Sequence, residues 1–207
     1  MTETGDDIAI YLDNASEIID LRDFFPRAAP LQVEIGSGKG TFLLNQSRKC
    51  PQTNFLGIEW SHKYYRYSVE RLRRRQVPNV RILRADARDV ISHCLADESV
   101  SGFHVYFPDP WPKRRHHKRR FFQPDYVKQL ARCLVKGGQL RTATDHAEYF
   151  AVIREVLLQQ SNTGEFFEQI DFFPAAAAEP GEWVGSNFER KYLKEGRDIY
   201  TLAVRRL

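Results

Sequence analysis

From Leu31 onward, short apolar runs rich in β-branched and aromatic residues alternate with longer segments in which apolar positions recur at helical spacing. This alternation is typical of βαβ units around a parallel sheet. The predicted strands are Gln32–Ile35, Asn54–Glu59, Val80–Leu83, Phe103–Phe107, Gln139–Thr144, Phe166–Phe173 and Ile199–Val204. The predicted helices are Thr41–Lys49, Lys63–Arg75, Asp125–Leu134 and Ala147–Gln160, the third ended by Gly137-Gly138. The pattern therefore predicts one α/β domain over residues 31–207, preceded by an N-terminal extension over residues 1–30.

Composition narrows the class of protein. A chain of 207 residues, 42% hydrophobic and 13% aromatic, can bury one core and is not disordered throughout. Its three cysteines, Cys50, Cys94 and Cys133, form no Cys-x-x-Cys pair, so we expect reduced thiols and no metal site. We find neither a signal peptide nor an apolar run of the roughly 18 residues that a membrane span needs, and expect a cytoplasmic protein.

A glycine-rich loop follows the first predicted strand. Gly36, Gly38 and Gly40 lie between this strand and the next helix, where the backbone of such folds passes close to a ligand. A dinucleotide would place its pyrophosphate over the loop, next to the like charge of Glu34, whereas S-adenosylmethionine would present an ammonium and a sulfonium there. Glu34 therefore favours S-adenosylmethionine as the cofactor, with a structural tight turn as the alternative interpretation.

Two more carboxylates follow predicted strands. Glu59 can accept hydrogen bonds from both hydroxyls of a ribose, and Asp86 can accept one from an adenine amino group. Asp86 can equally cap the helix that begins at Ala87. Because ligands of open α/β sheets bind at the carboxyl ends of the strands, acidic residues at three strand ends predict a cofactor site along one edge.

A proline-locked loop follows the fourth predicted strand. In Phe107–Lys113, three prolines within five residues fix the backbone on both sides of Asp109 and Trp111. Such stiffness suits a loop that positions a substrate, although a structural turn with a buried tryptophan would give the same pattern.

The charge of the chain is concentrated next to this loop. The net charge is only +4, but six cationic side chains stand within residues 113–120. A run of charged residues is usually just a solvated face of the protein. Here the second predicted helix adds further arginines. Together the two groups of cations predict a surface that binds RNA phosphates along the backbone. Those arginines are Arg71, Arg73, Arg74 and Arg75. His116 and His117 lack a neighbouring carboxylate or cysteine, so RNA contact is favoured over metal binding.

Together these segments resemble the bacterial tRNA (guanine-N7)-methyltransferase family, from about Leu31 to the C-terminus. The resemblance rests on Glu34–Gly40, Gly57–Glu59, Asp86-Ala87, Pro108–Lys113, Thr144-Asp145, Phe188–Arg190 and Gly196. Of these, Pro-Asp-Pro-Trp-Pro-Lys is the most specific. The resemblance implies the class I S-adenosylmethionine-dependent methyltransferase fold, a Rossmann-like and mostly parallel sheet of seven strands, the last antiparallel, with helices on both faces. It also implies transfer of a methyl group to N7 of a guanine in the variable loop of tRNA, without a partner subunit, by a monomer or a homodimer.

The resemblance also assigns residues. The implied cofactor contacts are Glu34, Gly36, Gly38, Gly40, Glu59, Asp86 and Asp109. The implied substrate contacts are Lys113, Asp145, Ser186, Asn187, Phe188 and Glu189. The implied RNA contacts are Arg115, His116, His117, Lys118, Arg119 and Arg120. The family has Thr-Lys-Phe-Glu where this chain has Ser-Asn-Phe-Glu, so one cation is absent at Asn187. A core position for Phe188 is the alternative to substrate contact.

The chemistry of the acceptor sets what the protein must supply. Guanine N7 carries an in-plane lone pair and no proton, so we expect direct in-line transfer without a general base. Asp109 is the predicted catalytic residue, and Asp109 and Asp145 could stabilise the cationic product and accept hydrogen bonds from the guanine. Asp145 could instead cap the helix that begins near Ala147. Three rival functions remain open. They are an NAD-dependent oxidoreductase, an RNA-binding protein with an inactive methyltransferase fold, and a methyltransferase that acts on protein or a small molecule, which the cationic residues 113–120 disfavour.

Overall fold

The computed structural model describes residues 8–10, 18, 21–158 and 166–207, and these ranges form one eight-stranded sheet between two layers of helices. The strands are β1 (Ala9–Ile10), β2 (Leu31–Ile35), β3 (Asn54–Ile58), β4 (Val80–Leu83), β5 (Val100–Tyr106), β6 (Leu134–Thr144), β7 (Phe167–Ile170) and β8 (Tyr200–Arg206). Their order in the sheet is β1-β4-β3-β2-β5-β6-β8-β7. Strands β1 to β6 are parallel to one another, and β8 runs antiparallel to both β6 and β7.

The predicted α/β fold with a mostly parallel sheet is confirmed, but the strand count of seven is wrong. The eighth strand is β1, whose two residues pair with Ile82 and Leu83 of β4. A two-residue strand is too short to produce a periodic signal in the sequence. Leu21 and Phe25 are also buried in the main core cluster, so the core draws on residues on both sides of Leu31. The domain boundary at Leu31 stays a prediction.

Two separate apolar clusters cover the two faces of the sheet. On one face, α4 (Pro124–Cys133) and α5 (Ala147–Leu158) pack on side chains from β2, β3 and β5. On the other face, α1 (Thr41–Lys49) and α2 (His62–Arg74) pack on Phe55, Val80 and Ile82. Because successive strand residues point to opposite faces, strands covered on both sides are continuous apolar runs in the sequence, and this made them predictable.

The predicted helices lie close to their expected positions, with three differences. The third ends at Cys133, and Gly137-Gly138 lies inside β6, where its pairing with β5 shifts register. The helix after Asp86 is short, since α3 (Ala87–Asp89) continues only as a π-helical turn, Val90–Cys94. The segment between the last two predicted strands contains a further helix, α6 (Asn187–Lys194), which the sequence analysis did not predict. None of the helices within the described ranges is both long and apolar enough to span a membrane.

Candidate active site

The order of the strands creates a crevice at the carboxyl edge of the sheet. The chain leaves β2 toward β3 and β4 on one side and returns to β5 on the other, so the connections from β2 and β5 diverge at this point. In open α/β sheets, ligands bind in the crevice formed where the strand order reverses. The glycine loop follows β2 and the proline-locked loop follows β5, so the fold places both predicted loops at this crevice.

The glycine loop requires glycine for its backbone and leaves room for a ligand. Gly36, Gly38 and Gly40 have φ of 73°, 54° and 65°, in the left-handed region that other residues rarely adopt. A Cβ placed on Gly36 would meet nothing within 4 Å, and one on Gly38 would meet only the Gly36 carbonyl at 3.9 Å. Gly40 instead faces Ser68 of α2, where a Cβ would lie only 3.1 Å from the serine Cβ. The first two glycines therefore border open space, and the third lets the loop pack on α2.

Two buried carboxylates lie beside this loop. Glu34 is only 5% exposed, and its Oε2 has no hydrogen-bond partner. Burial, reinforced by the negative charge of Glu59, raises the pKa of Glu34 well above its ordinary value. Glu59 is also buried, and its two oxygens accept hydrogen bonds from the backbone amides of Gly38 and Ser61, both at 2.7 Å. A buried carboxylate with an unpartnered oxygen, next to a second acid, is costly in its ionised form unless a cation joins it.

Asp86 lies at the third strand end, where its side chain is already engaged. Its carboxylate accepts from the Arg88 backbone amide at 2.9 Å and from the Arg88 guanidinium at 2.7 and 3.1 Å. The hydrogen bonds from Arg88 lower the pKa of Asp86. The alternative interpretation of Asp86 as a helix cap is confirmed, and its contact with a cofactor stays a prediction.

Two arginines of the basic run, which we define as residues 113–120, contact the proline-locked loop. Phe107 and Trp111 have positive φ, 52° and 42°, which is rare for large residues. Arg120 is only 2% exposed; its guanidinium donates to the Pro110 carbonyl at 2.8 Å and to Glu148 at 3.0 Å. The Arg119 guanidinium lies 5.1 Å from the centre of the Trp111 ring, which is half-buried. Asp109, between these anchors, is exposed.

The basic run forms a 3-10 helix, Arg114–Arg119. Phe121 and Phe122 anchor the run in the cluster under α4 and α5, whereas α2 packs on the opposite face of the sheet. The basic run and the arginines of α2 are therefore anchored on opposite faces of the sheet, and the single surface that tracks RNA phosphates stays a prediction. Arg115, Lys118 and Arg119 are exposed. Within the run, Arg120 differs from these residues, since its side chain is buried.

Asp145 lies at the end of β6 in an ion-pair cluster. Its Oδ2 accepts from the Arg197 guanidinium at 2.7 Å, and the same guanidinium binds Glu195 at 2.7 Å. Arg197 also lies 4.6 Å from the centre of the Tyr192 ring. In the first turn of α5, the ring of His146 accepts from the Tyr149 amide at 3.2 Å, so the expected capping role of Asp145 is taken by its neighbour.

The segment that begins α6 is organised by a buried glutamate. Ser186 caps the helix by accepting from the Glu189 amide at 3.1 Å. The Glu189 side chain is 0% exposed, and its carboxylate accepts from the backbone amides of Trp183, Val184 and Gly185 at 2.5 to 3.0 Å. The spacing Ser-x-x-Glu is the capping-box pattern of helix starts, and it could have revealed α6 from the sequence.

Next to this cap lies an aromatic cluster, which we define as Phe107, Phe188 and Tyr192. Phe188 is 50% exposed, so the core position considered for it is wrong. Its ring lies 6.3 Å from that of Phe107 and 6.0 Å from that of Tyr192, the latter pair tilted by 30°. Burial, followed by the charge of Asp145 and more weakly that of Asp109, raises the pKa of Tyr192. The cluster therefore lies near both predicted carboxylates, and sequence reasoning missed the roles of Phe107, Tyr192 and Arg197.

Asn187 points away from the aromatic cluster. Its amide donates to the Thr41 hydroxyl, at the start of α1, at 2.8 Å. Lys113 is exposed at the end of the proline-locked loop. Among the described residues, no group of three or more histidine, cysteine, aspartate or glutamate side chains could hold a metal ion.

Comparisons of the sequence with known proteins identify its relatives. Residues 28–202 match the model of a family described as "Putative methyltransferase". The tRNA (guanine-N(7)-)-methyltransferase of Alkalilimnicola ehrlichii is 36% identical over 192 residues, 93% of this chain and 79% of that protein. The protein of the same name from Leifsonia xyli subsp. xyli is 37% identical over 205 residues, 96% of this chain and 86% of that protein.

Solved structures extend the likeness at the level of the fold. A SAM dependent methyltransferase from Aquifex aeolicus superposes with a TM-score of 0.58 at 12% identity, over 90% of this chain and 87% of that one. The aminoglycoside resistance methyltransferase NpmB1 gives a TM-score of 0.56 at 13% identity, over 92% and 95%. The class I methyltransferase fold expected from the sequence is therefore confirmed. On the matched sequences, the chain belongs to the bacterial tRNA (guanine-N7)-methyltransferase family.

Proposed function

We propose that this protein transfers the methyl group of S-adenosylmethionine to N7 of a guanine in the variable loop of tRNA. The observation that carries the proposal is the pair of buried acids, Glu34 and Glu59, beside a glycine loop whose first two glycines border open space. Family membership and the names of the relatives support the same activity. The rival oxidoreductase is disfavoured because a dinucleotide would bring its pyrophosphate next to these acids.

The residues present fit this cofactor. The unpartnered Oε2 of Glu34 can accept a hydrogen bond from the amino acid ammonium, which would compensate the cost of its burial. Each oxygen of Glu59 uses one lone pair on a backbone amide and keeps another for a ribose hydroxyl. Asp86, with Arg88 on its carboxylate, is proposed to border the adenine. When bound, S-adenosylmethionine supplies an electrophilic methyl group on its sulfonium.

The aromatic cluster and the two carboxylates near it can hold the guanine. A base taken out of its stack is held by stacking on aromatic side chains and by hydrogen bonds to its edge. Phe188 offers an exposed ring for stacking, and Asp145 and Asp109 can accept from the guanine N1 and exocyclic amine. Arg197 fixes the carboxylate of Asp145 through Oδ2 and is proposed to position it for that contact. Lys113 is proposed to bind a neighbouring phosphate.

Catalysis then depends on positioning rather than on proton removal. Because N7 has no proton, the protein has only to align the N7 lone pair with the methyl group and to stabilise the cationic product base. Asp109 is proposed as the catalytic residue, since it is the carboxylate carried by the proline-locked loop, which follows β5 at the crevice. Arg120 and Trp111 position that loop from the side of the basic run.

Residues at the start of α6 are proposed to shape the substrate side. Ser186 and Glu189 fix the backbone that presents Asn187 and Phe188, through the helix cap and the three amides bound by the glutamate. On this proposal, Glu189 acts on the substrate only through the backbone that it holds. The exposed members of residues 115–119 are proposed to contact RNA phosphates without reading sequence. We further propose that the enzyme acts in the cytoplasm and without an obligatory protein partner.

The test is transfer of a labelled methyl group from S-adenosylmethionine to unmodified bulk tRNA, followed by nucleoside analysis. We expect 7-methylguanosine; label in another nucleoside, or none, would overturn the proposal. Asp109→Asn should lower the single-turnover rate while cofactor binding by calorimetry persists. A rate limb of unit slope against pH in the wild type that disappears in Asp109→Asn would mark this residue as a general base and refute the positioning mechanism.

A further inference from the structure

A cleft on the face of α1 and α2 is lined mainly by residues outside the proposed cofactor and guanine sites. Its volume is about 680 Å³, and it is open to solvent. The residues that line it are Lys39, Tyr67, Arg71, Arg74, Arg75 and Asn187. Four of these six side chains are cationic, and no acid is among them. We propose that this cleft is a second binding site for RNA phosphates, separate from the basic run; this proposal rests on the proposed tRNA substrate.

The first argument is that one cation in the cleft is already fixed. The Nη1 of Arg71 donates to the Lys39 carbonyl at 3.1 Å and to the Thr41 hydroxyl at 2.7 Å. Within the described part of the chain, these contacts leave Nε and Nη2 of Arg71 to donate to a ligand. A planar guanidinium held in this way binds phosphate with little further loss of side-chain entropy.

The second argument is that Arg74 and Arg75 are exposed and form at most a weak ion pair with acidic side chains of the described residues. Arg74 is paired only loosely with Glu70, at 3.8 Å, with side chains 68% and 70% exposed. An exposed pair of this kind contributes little free energy and gives way readily to a stronger anion. Arg75 is exposed. A concave surface lined by one sign of charge concentrates anions, and the exposed ring of Tyr67 offers a surface on which a base can stack.

The third argument is the position of the cleft relative to the site. Lys39 belongs to the glycine loop itself, and Asn187 precedes Phe188 of the aromatic cluster. The basic run is anchored on the opposite face of the sheet, across the same carboxyl edge. An RNA whose guanine enters the crevice would therefore have phosphates on both sides of it. Two separated contacts fix the orientation of the RNA, which one charged patch cannot do.

The experiment compares two double variants that remove the same charge. Arg74→Ala/Arg75→Ala acts in the cleft, and Lys128→Ala/Arg154→Ala removes two exposed cations from α4 and α5. The affinity for unmodified tRNA is measured by fluorescence anisotropy across a series of KCl concentrations. Each phosphate contact contributes about 0.7 to 0.9 to the slope of log affinity against log salt. We expect the cleft variant to flatten the slope by about 1.5 and the control to leave it within error.

Two further measurements keep the result interpretable. Arg74→Lys/Arg75→Lys should restore the salt slope, because the charge is retained, whereas damage to the fold would not be repaired this way. The affinity for S-adenosylmethionine, from calorimetry, should be the same in all variants. Equal slopes for the cleft variant and the control would overturn the proposal. If the wild type makes 7-methylguanosine while the slopes are equal, the second site alone has failed; if the wild type makes none, the proposed function has failed.

Discussion

The buried imidazole of His104 should make the protein sensitive to acid. His104 lies on β5 in register with Glu34 of β2 and Arg141 of β6, and it is only 6% exposed. Its Nε2 lies 2.9 Å from the Gln32 side-chain oxygen and its Nδ1 lies 2.8 Å from the Tyr106 hydroxyl. Because the Gln32 oxygen can only accept, we assign the proton to Nε2, and Nδ1 then accepts from the tyrosine. The neutral ring satisfies both partners.

The magnitude follows from the shift in its pKa. Burial, reinforced by the charge of Arg141, lowers the pKa of His104 from 6.5 to about 3. Between these values the unfolded chain binds one proton more than the folded protein, so stability is lost as the pH falls from 6.5 toward 3. At 1.36 kcal/mol per pH unit, the full loss is about 5 kcal/mol, and about 3 kcal/mol of it has occurred by about pH 4.5.

Urea unfolding at about pH 7.5 and about pH 4.5 isolates this contribution when variants are compared. His104→Gln keeps a donor and an acceptor but cannot titrate, so its loss of stability between the two pH values should be about 3 kcal/mol smaller than that of the wild type. His93→Gln removes an exposed imidazole and serves as the control. Acidic residues such as Asp86, whose pKa is lowered, also contribute to the loss of protein stability at low pH. This contribution is the same in all three proteins. An equal loss in His104→Gln and the wild type would refute the reasoning.

Three further predictions concern the site. Glu34→Gln should weaken S-adenosylmethionine binding by about 1.5 to 3 kcal/mol, because it removes the charged partner of the ammonium, and unchanged affinity in calorimetry would contradict this role. Glu189→Ala should lower the free energy of unfolding in urea by about 3 kcal/mol or more, since it leaves three backbone amides without their acceptor. Replacing Arg115, Lys118 and Arg119 with alanine should flatten the salt dependence of tRNA binding, by about 0.7 to 0.9 for each phosphate that is no longer bound. A loss of affinity at unchanged slope would indicate damage to the fold instead.

The parts of the fold that the sequence predicted are those with local signals. Strands β2 to β5 are buried on both faces, so most of their residues are apolar or small. The start of α1 at Thr41 follows directly from the glycine loop. The signal failed where pairing is short or irregular, as in β1, or in β6 around Gly137-Gly138. There, pairing with a neighbouring strand decides the structure, and periodicity along the chain does not report it.

In the candidate site, too, the features with a local sequence signal could be predicted and those that depend on tertiary contacts could not. The glycines and the acids at the strand ends are predictable, because motif and position on a parallel sheet imply one another. The aromatic cluster is not, since it joins Phe107 after β5 to residues of α6 that are distant in the sequence. The separation of the two basic regions also depends on which face each helix covers. No local sequence pattern predicts either of these two features.

The hydrogen bonds of the two glycine-loop acids explain why they would play different parts. Glu59 binds two backbone amides and so stabilises the loop whether or not a ligand is present. Glu34 has an unpartnered oxygen, and its raised pKa means that its stabilising contribution is present at low pH and is lost as the pH rises through that pKa. A cationic ligand has the opposite effect on the pKa of Glu34: it lowers this pKa, because it favours the ionised carboxylate in the same buried position. Binding at a pH where Glu34 is protonated must therefore release a proton, and affinity should rise with pH until Glu34 is ionised in the free protein. In Glu34→Gln this pH dependence should vanish together with the lost affinity, because both arise from the same carboxylate.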